Sequence, residues 1–123
     1  MIATIGYAAK NAGVELASIN FERRDPGPKD VLIQILWCGI CHSDVAVVEN
    51  DWGFSLFPMV PGHEIVGRVV KVGAQVKKLR AGDTAAVGCM IDSGRTCANC
   101  ESGLEQYCDA SPTSSFGSYG RGS

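Results

Sequence analysis

The apolar residues of this chain come in short β-branched runs cut by glycine and proline, and the runs alternate with turns rather than with long helices. That pattern restricts the chain to a β-rich domain. Ile2 to Ala8 and Val14 to Phe21 flank Lys10-Asn11-Ala12-Gly13, whose Asn and Gly suit a turn, so a hairpin is expected. Asp25-Pro26-Gly27-Pro28 breaks the chain, because proline fixes its own backbone angle and restricts the residue before it. Val31-Leu32-Ile33-Gln34-Ile35-Leu36-Trp37-Cys38 is apolar on both faces and is expected as a buried strand in the middle of a sheet. Glu64 to Gly73 mixes β-branched residues with glycine, which suits a curved strand where Gly67 allows a bend or a close backbone approach. Leu79 to Asp83 reads as a turn before a last strand, Thr84 to Cys89. No internal repeat is present, and the expected fold class is mainly β, or β-rich α+β, as a small barrel.

Set into this framework are two cysteine and histidine clusters. Cys41-His42-Ser43-Asp44 and Gly62-His63-Glu64 together contain both histidines of the chain. Cys41 and His63 offer a thiolate and an imidazole, two of the three protein ligands that a catalytic zinc usually takes. Farther on, Cys97-x-x-Cys100 and Cys108 form a separate group within Met90 to Cys108, a stretch without hydrophobic period that metal rather than a core would organise. Cys38-x-x-Cys41 has the spacing of a redox dithiol, but a β-rich setting is not the βαβ context of that chemistry. Cys38 and Cys89 are expected as buried small hydrophobes.

Between the motifs, Ser43 or Asp44 is expected to cap a short helix through Glu49, with Gly39 permitting the sharp exit from the preceding strand. The loop from Asp51 to Pro61 carries Trp52, Phe54 and Phe57 and is expected to pack down as the apolar wall of a cleft. Asp109 to Ser123, with five serines and three glycines, reads as a tail.

With 123 residues the expectation is one domain. A net charge of -2 gives no basic excess to attract nucleic acid or an anionic membrane. The first residues lack a signal-peptide pattern, and no apolar run approaches the roughly 18 residues of a membrane span. A cytoplasmic location with reduced thiols is therefore expected.

The glycine-histidine-glutamate segment Gly62-His63-Glu64-x-x-Gly67, continued by Gly73 and Val76, with Cys41 upstream and the cysteine lobe downstream, resembles zinc-dependent alcohol dehydrogenases of the medium-chain dehydrogenase/reductase superfamily, in particular the cinnamyl alcohol dehydrogenase type. The resemblance covers roughly residues 1 to 110. It implies a GroES-like, partly open β-barrel over residues 1–108 with a cysteine-rich lobe at 89–108, then the tail at 109–123. In that family a Rossmann domain and a further zinc-binding cysteine follow; no Gly-x-Gly-x-x-Gly unit is present here, so a truncated catalytic domain without its own nicotinamide site is expected.

By the same resemblance Cys41 and His63 are catalytic-zinc ligands, Glu64 is a carboxylate that can approach the metal, and Ser43 passes the alcohol proton outward. Asp44 is the carboxylate that orients the ligand histidine, and His42 lies near the cofactor phosphates at the end of the proton relay. The lobe of the family binds a second zinc through four cysteines, of which Cys97, Cys100 and Cys108 are matched here while Gly94 stands at the fourth position. The implied cofactors are zinc, with NADP or NAD in a full-length relative, and the implied substrate is a small-molecule alcohol or aldehyde. Two other functions remain open. One is a non-enzymatic GroES-like module that self-associates through exposed edges. The other is a zinc-dependent hydrolase that uses the open metal position, with Glu64 or His42 as base.

Overall fold

The computed structural model describes residues 1–110, 113–115 and 117–118. The expected hairpin is present: β1 (Ile2–Ala8) and β2 (Ala17–Arg23) pair antiparallel from Ile2 opposite Arg23 to Ala8 opposite Ala17. Gly13 takes a positive φ of 70° in the connection, a conformation that costs glycine little.

The main sheet has the order β3-β5-β6, formed by Val31–Gly39, Glu64–Val72 and Thr84–Val87, all antiparallel. Gly67 on β5 is a close-approach site: a Cβ built there would collide with the Gln34 carbonyl and lie 2.5 Å from the Ile33 side chain. The ladder slips in register between Ile35 and Trp37, which bends β3 against β5 where that glycine sits.

β3 departs from expectation. It is an edge strand, not a central one, and Ile35, Leu36 and Trp37 are exposed. An apolar run on both faces records side chains that avoid water, but it does not say which neighbours cover them, and on this strand one flank carries no neighbour among the described residues. Cys38 and Cys89 are exposed as well, so the expectation of two buried thiols fails for the same reason.

α1 (His42–Glu49) follows directly on β3. Its N-cap is Cys41, not Ser43 or Asp44; Asp44 instead occupies the third helical position, where its Oδ2 accepts from the Cys41 amide at 2.9 Å. A carboxylate in the first turn satisfies an amide that the helix cannot pair and sits well with the positive end of the helix dipole. Asn50 ends the helix in the left-handed region. Among the described residues the buried apolar ones are few: Ala46 and Val47 of this helix, Ala8, Ala9, Met59 and, on β5, Val69, with Cys100 and Cys108 in the lobe. Ala9 and Met59 exchange both backbone hydrogen bonds at 2.9 Å, tying the hairpin to β4 (Met59–Val60).

The loop between α1 and β4 also differs from expectation. Trp52 and Phe54 stack on each other, with ring centroids 5.6 Å apart, and both are exposed. The loop is held by polar contacts: Ser55 donates its hydroxyl to the Val47 carbonyl at 2.6 Å, and Asn50 accepts from the Ser55 amide. A cavity of about 440 Å³ does exist, but of the Asp51–Pro61 loop only Val60 and Pro61 line it, beside Tyr7, Leu16, Ile40 and Val45, and none of the loop's aromatic rings does.

The lobe comprises β7 (Met90–Asp92), the four-residue helix α2 (Ala98–Glu101) and a 3-10 turn at Glu105–Tyr107. Part of the segment read as a tail is built into the sheets. β8 (Thr113–Ser114) pairs with β7, and β9 (Gly117–Ser118) pairs with β4. A serine- and glycine-rich stretch cannot form its own core, but its backbone can complete a strand edge that already exists. The remainder of that segment, residues 111–112, 116 and 119–123, lies outside the described residues. Among the described residues no helix is long and apolar enough to cross a membrane.

Candidate metal centre

Cys41 caps α1 and His63 immediately precedes β5, so the β3-to-α1 turn and the start of β5 bring the two motifs together. The Cys41 sulfur, a His63 ring nitrogen and a Glu64 carboxylate oxygen all lie within 4.8 Å of one another. Gly39 makes room for Glu64, whose carboxylate a Cβ at position 39 would strike. Gly62, at φ 123°, takes a backbone conformation that other residues rarely adopt just before His63.

The ring of His63 is fixed by Asp44. Its Nδ1 lies 3.2 Å from Asp44 Oδ1, and both side chains are about nine-tenths buried. Asp44 therefore bridges the helix cap and the imidazole, one oxygen to each. With the carboxylate holding a proton on Nδ1, Nε2 is left with its lone pair toward the cluster.

The charges follow from these contacts. The Cys41 thiol is held below its ordinary pKa chiefly by the Ser43 amide, then by the Ser43 hydroxyl, with His63 adding to both. Burial is the largest single influence on His63 and pushes it down, but the Cys41 sulfur and the Asp44 carboxylate together outweigh it and raise the imidazole above its usual value. Each shift favours the charged form of its group, and a cation entering between them takes the place of the protons that both must give up to bind it. An amide-supported thiolate, an imidazole oriented by a carboxylate and a reachable carboxylate make a donor set that fits zinc. His42 is exposed on the outer side of α1 and stands outside this cluster, while Ser43 is within it through its contact with the Cys41 sulfur.

The lobe gathers Cys97, Cys100 and Cys108, whose sulfurs also lie within 4.8 Å of one another, Cys100 and Cys108 being buried. Cys97 caps α2, and amides of Asp109 and Cys100 directed at its sulfur draw its pKa down to about 7. Asn99 braces the lobe through its side-chain amide, which donates to the Tyr107 carbonyl at 2.8 Å and to Asp109 Oδ1 at 3.2 Å. At the fourth corner Gly94 brings no donor side chain, and its amide points at the Cys108 sulfur from 3.1 Å. Three sulfurs do not fit the closed four-thiolate arrangement of a structural zinc. Sequence reasoning missed Ser93, whose hydroxyl lies 3.6 Å from the Cys100 sulfur; a serine beside a glycine carries no signal of its own.

The sequence profile of the alcohol dehydrogenase GroES-like domain matches residues 27–123. A probable mannitol dehydrogenase of Fragaria ananassa is 52% identical over 103 residues, which is 84% of this chain and 29% of that protein. Geissoschizine synthase of Alstonia scholaris is 50% identical over 107 residues, again spanning 29% of its length. Among solved structures, a cinnamyl alcohol dehydrogenase of Sorghum bicolor superposes with a TM-score of 0.89 at 44% identity, covering 94% of this chain and 32% of that one. A Helicobacter pylori cinnamyl alcohol dehydrogenase complexed with NADP(H) gives 0.86 at 37% identity, covering 92% and 33%. The chain thus spans about 29% of the length of the curated relatives it matches. With the GroES-like strands, the Cys41-His63-Glu64 cluster and these likenesses in agreement, the chain belongs to the alcohol dehydrogenase GroES-like domain family.

Proposed function

We propose that these 123 residues are the zinc-holding part of an oxidoreductase that interconverts small alcohols and aldehydes. The observation that carries this reading is the cluster of Cys41, His63 and Glu64 within 4.8 Å, with Asp44 orienting the imidazole. Zinc bound there would supply Lewis acidity, lowering the pKa of an alcohol oxygen so that hydride can leave the neighbouring carbon.

This chain's own residues do the rest. Cys41 and His63 would hold the ion, and Asp44, as acceptor at His63 Nδ1, would leave Nε2 free to bind it. Ser43 stands at the first turn of α1 beside the Cys41 sulfur, where its hydroxyl can take up a proton and pass it outward. His42, exposed on the next position of the same turn, offers the following station for that proton. Glu64, exposed at the start of β5 with a carboxylate oxygen in the same cluster, would offer a further oxygen ligand.

Hydride transfer needs a nicotinamide held against the reacting carbon, and the described residues contain no βαβ unit to hold one. NADP or NAD is therefore the proposed partner of the whole enzyme rather than of this portion. Cobalt(II) substitution tests the metal site. Adding cobalt to the chain with its lobe thiols blocked should produce a thiolate charge-transfer band and visible bands of a four-coordinate ion. Loss of both in Cys41→Ser and His63→Ala is expected, and unchanged spectra in those variants would refute the reading.

A further inference from the structure

The lobe departs from a four-thiolate zinc site in a way that suits another class of ion. The geometry points to Cys97, Cys100 and Cys108 as a three-sulfur site for thiophilic ions that are complete at three ligands, such as trivalent arsenic, in preference to zinc. This inference is independent of the Cys41–His63 cluster.

Three observations carry it. The three sulfurs lie within 4.8 Å of one another, which brackets the roughly 3.8 Å that a tetrahedral ion with bonds of about 2.3 Å imposes. Second, Gly94 closes the fourth side with backbone: its amide lies 3.1 Å from the Cys108 sulfur, and a Cβ there would stand 3.1 Å from that sulfur and 3.2 Å from the Ala110 Cβ. Among the described residues, a side-chain oxygen that does contact the cluster is the Ser93 hydroxyl, 3.6 Å from the Cys100 sulfur, a neutral group far weaker than a thiolate toward zinc. Third, Asn99 and the pairing of β7 with β8 tie the segments of the lobe together through contacts that use none of the three sulfurs.

Zinc at such a site needs a fourth donor from outside. Trivalent arsenic does not, because its lone pair fills the fourth direction. Arsenous acid and three thiols give one As(SCys)3 centre and three waters: three As–O bonds and three S–H bonds break, three As–S bonds form, each hydroxide leaves with one thiol proton, and no oxidation state changes.

The test is an anaerobic titration of the reduced chain with arsenite, followed by thiol counting, intact mass and X-ray absorption. One arsenic per chain is expected, with three thiols consumed, a mass gain of one arsenic less three hydrogens, and three As–S bonds with no As–O bond. Cys41→Ser and Ser93→Ala should bind as before. Cys97→Ser should leave two As–S bonds and weaken binding by at least roughly tenfold. Gly94→Cys should reverse the preference toward zinc, once the Cys108 side chain yields by a few tenths of an ångström. Capture through two thiols that survives in Cys97→Ser and disappears in Cys41→Ser would overturn the assignment, placing the arsenic on Cys38 and Cys41. Displacement of arsenic by an equal concentration of zinc from the unmutated chain would overturn it too. The absorption spectrum of the unmutated chain decides even where a variant fails to fold.

Discussion

Asp44 is the one buried charged side chain among the described residues, and both of its oxygens are engaged, Oδ2 by the Cys41 amide and Oδ1 by the His63 ring. It therefore sets the helix start and the ring orientation at once. Asp44→Asn keeps the shape but exchanges a charged acceptor for an amide, and zinc affinity by competition titration should fall by roughly 10–100-fold while the fold persists. Affinity should also depend on pH with a definite sign. His63 is raised above its usual value, so in the metal-free chain its contribution to stability is fully present below the unfolded value and is lost as pH rises through the raised one. Zinc requires the deprotonated ring, and its binding should strengthen over the same interval with release of a proton, measurable by calorimetry in buffers of different ionisation enthalpy. In the lobe, the metal-free Cys97 thiol is drawn down to about 7 by amides of Asp109 and Cys100, and its alkylation rate should rise with a midpoint near that value. A midpoint at the ordinary thiol value would show that those amides do not act on the sulfur. The cysteines and histidine that the structure gathers into the two clusters were legible in the sequence, because these residue types declare their chemistry. The capping role of Cys41 was not, since cysteine is no usual cap and only the path of the chain placed Asp44 one turn on.

At the scale of elements, the strands were legible wherever a glycine or proline marked a boundary, and their neighbours were not. Gly67 illustrates the first case. Its place within a β-branched run signalled close approach, and the Gln34 carbonyl of β3 stands where its Cβ would be. Gly67→Val should part β3 from β5 and cost more than about 3 kcal/mol, read as a fall in the urea midpoint. Gly88→Ala is the matched control: nothing lies within 4 Å of the added carbon and no left-handed φ is required, so the change should stay within about 0.5 kcal/mol. β3 illustrates the second case. Its composition is that of a covered strand, yet Ile35, Leu36 and Trp37 face outward, because hydrophobicity reports a tendency to be buried and not the identity of the cover. The aromatic loop misled similarly: Trp52 and Phe54 found each other rather than the cavity.

For the molecule as a whole, one stretch of chain concentrates these exposed groups. Ile35 at 57%, Trp37 at 67% and Ile40 at 88% exposure follow one another along β3 and the turn into α1, beside a strand flank without a partner among the described residues. Apolar surface joined to free backbone donors and acceptors is the usual template for pairing with another chain. The isolated 123-residue chain should therefore associate with itself, with a sedimentation coefficient that rises with concentration. The small area of one strand and three side chains lies at the low end of what a stable interface buries, so the association should be weak and reversible. Trp37→Lys should abolish it without disturbing the cobalt spectrum of the Cys41–His63 cluster, because Trp37 is exposed and is no member of that cluster. Removing the β3 edge by a proline at Gln34 would be a poorer test, as it would also disturb the approach of Gly67. Should the unmutated chain sediment as a monomer at every concentration, the exposed strand would have to be accounted for by solvation of its backbone alone, and self-association would be excluded as a role for this face.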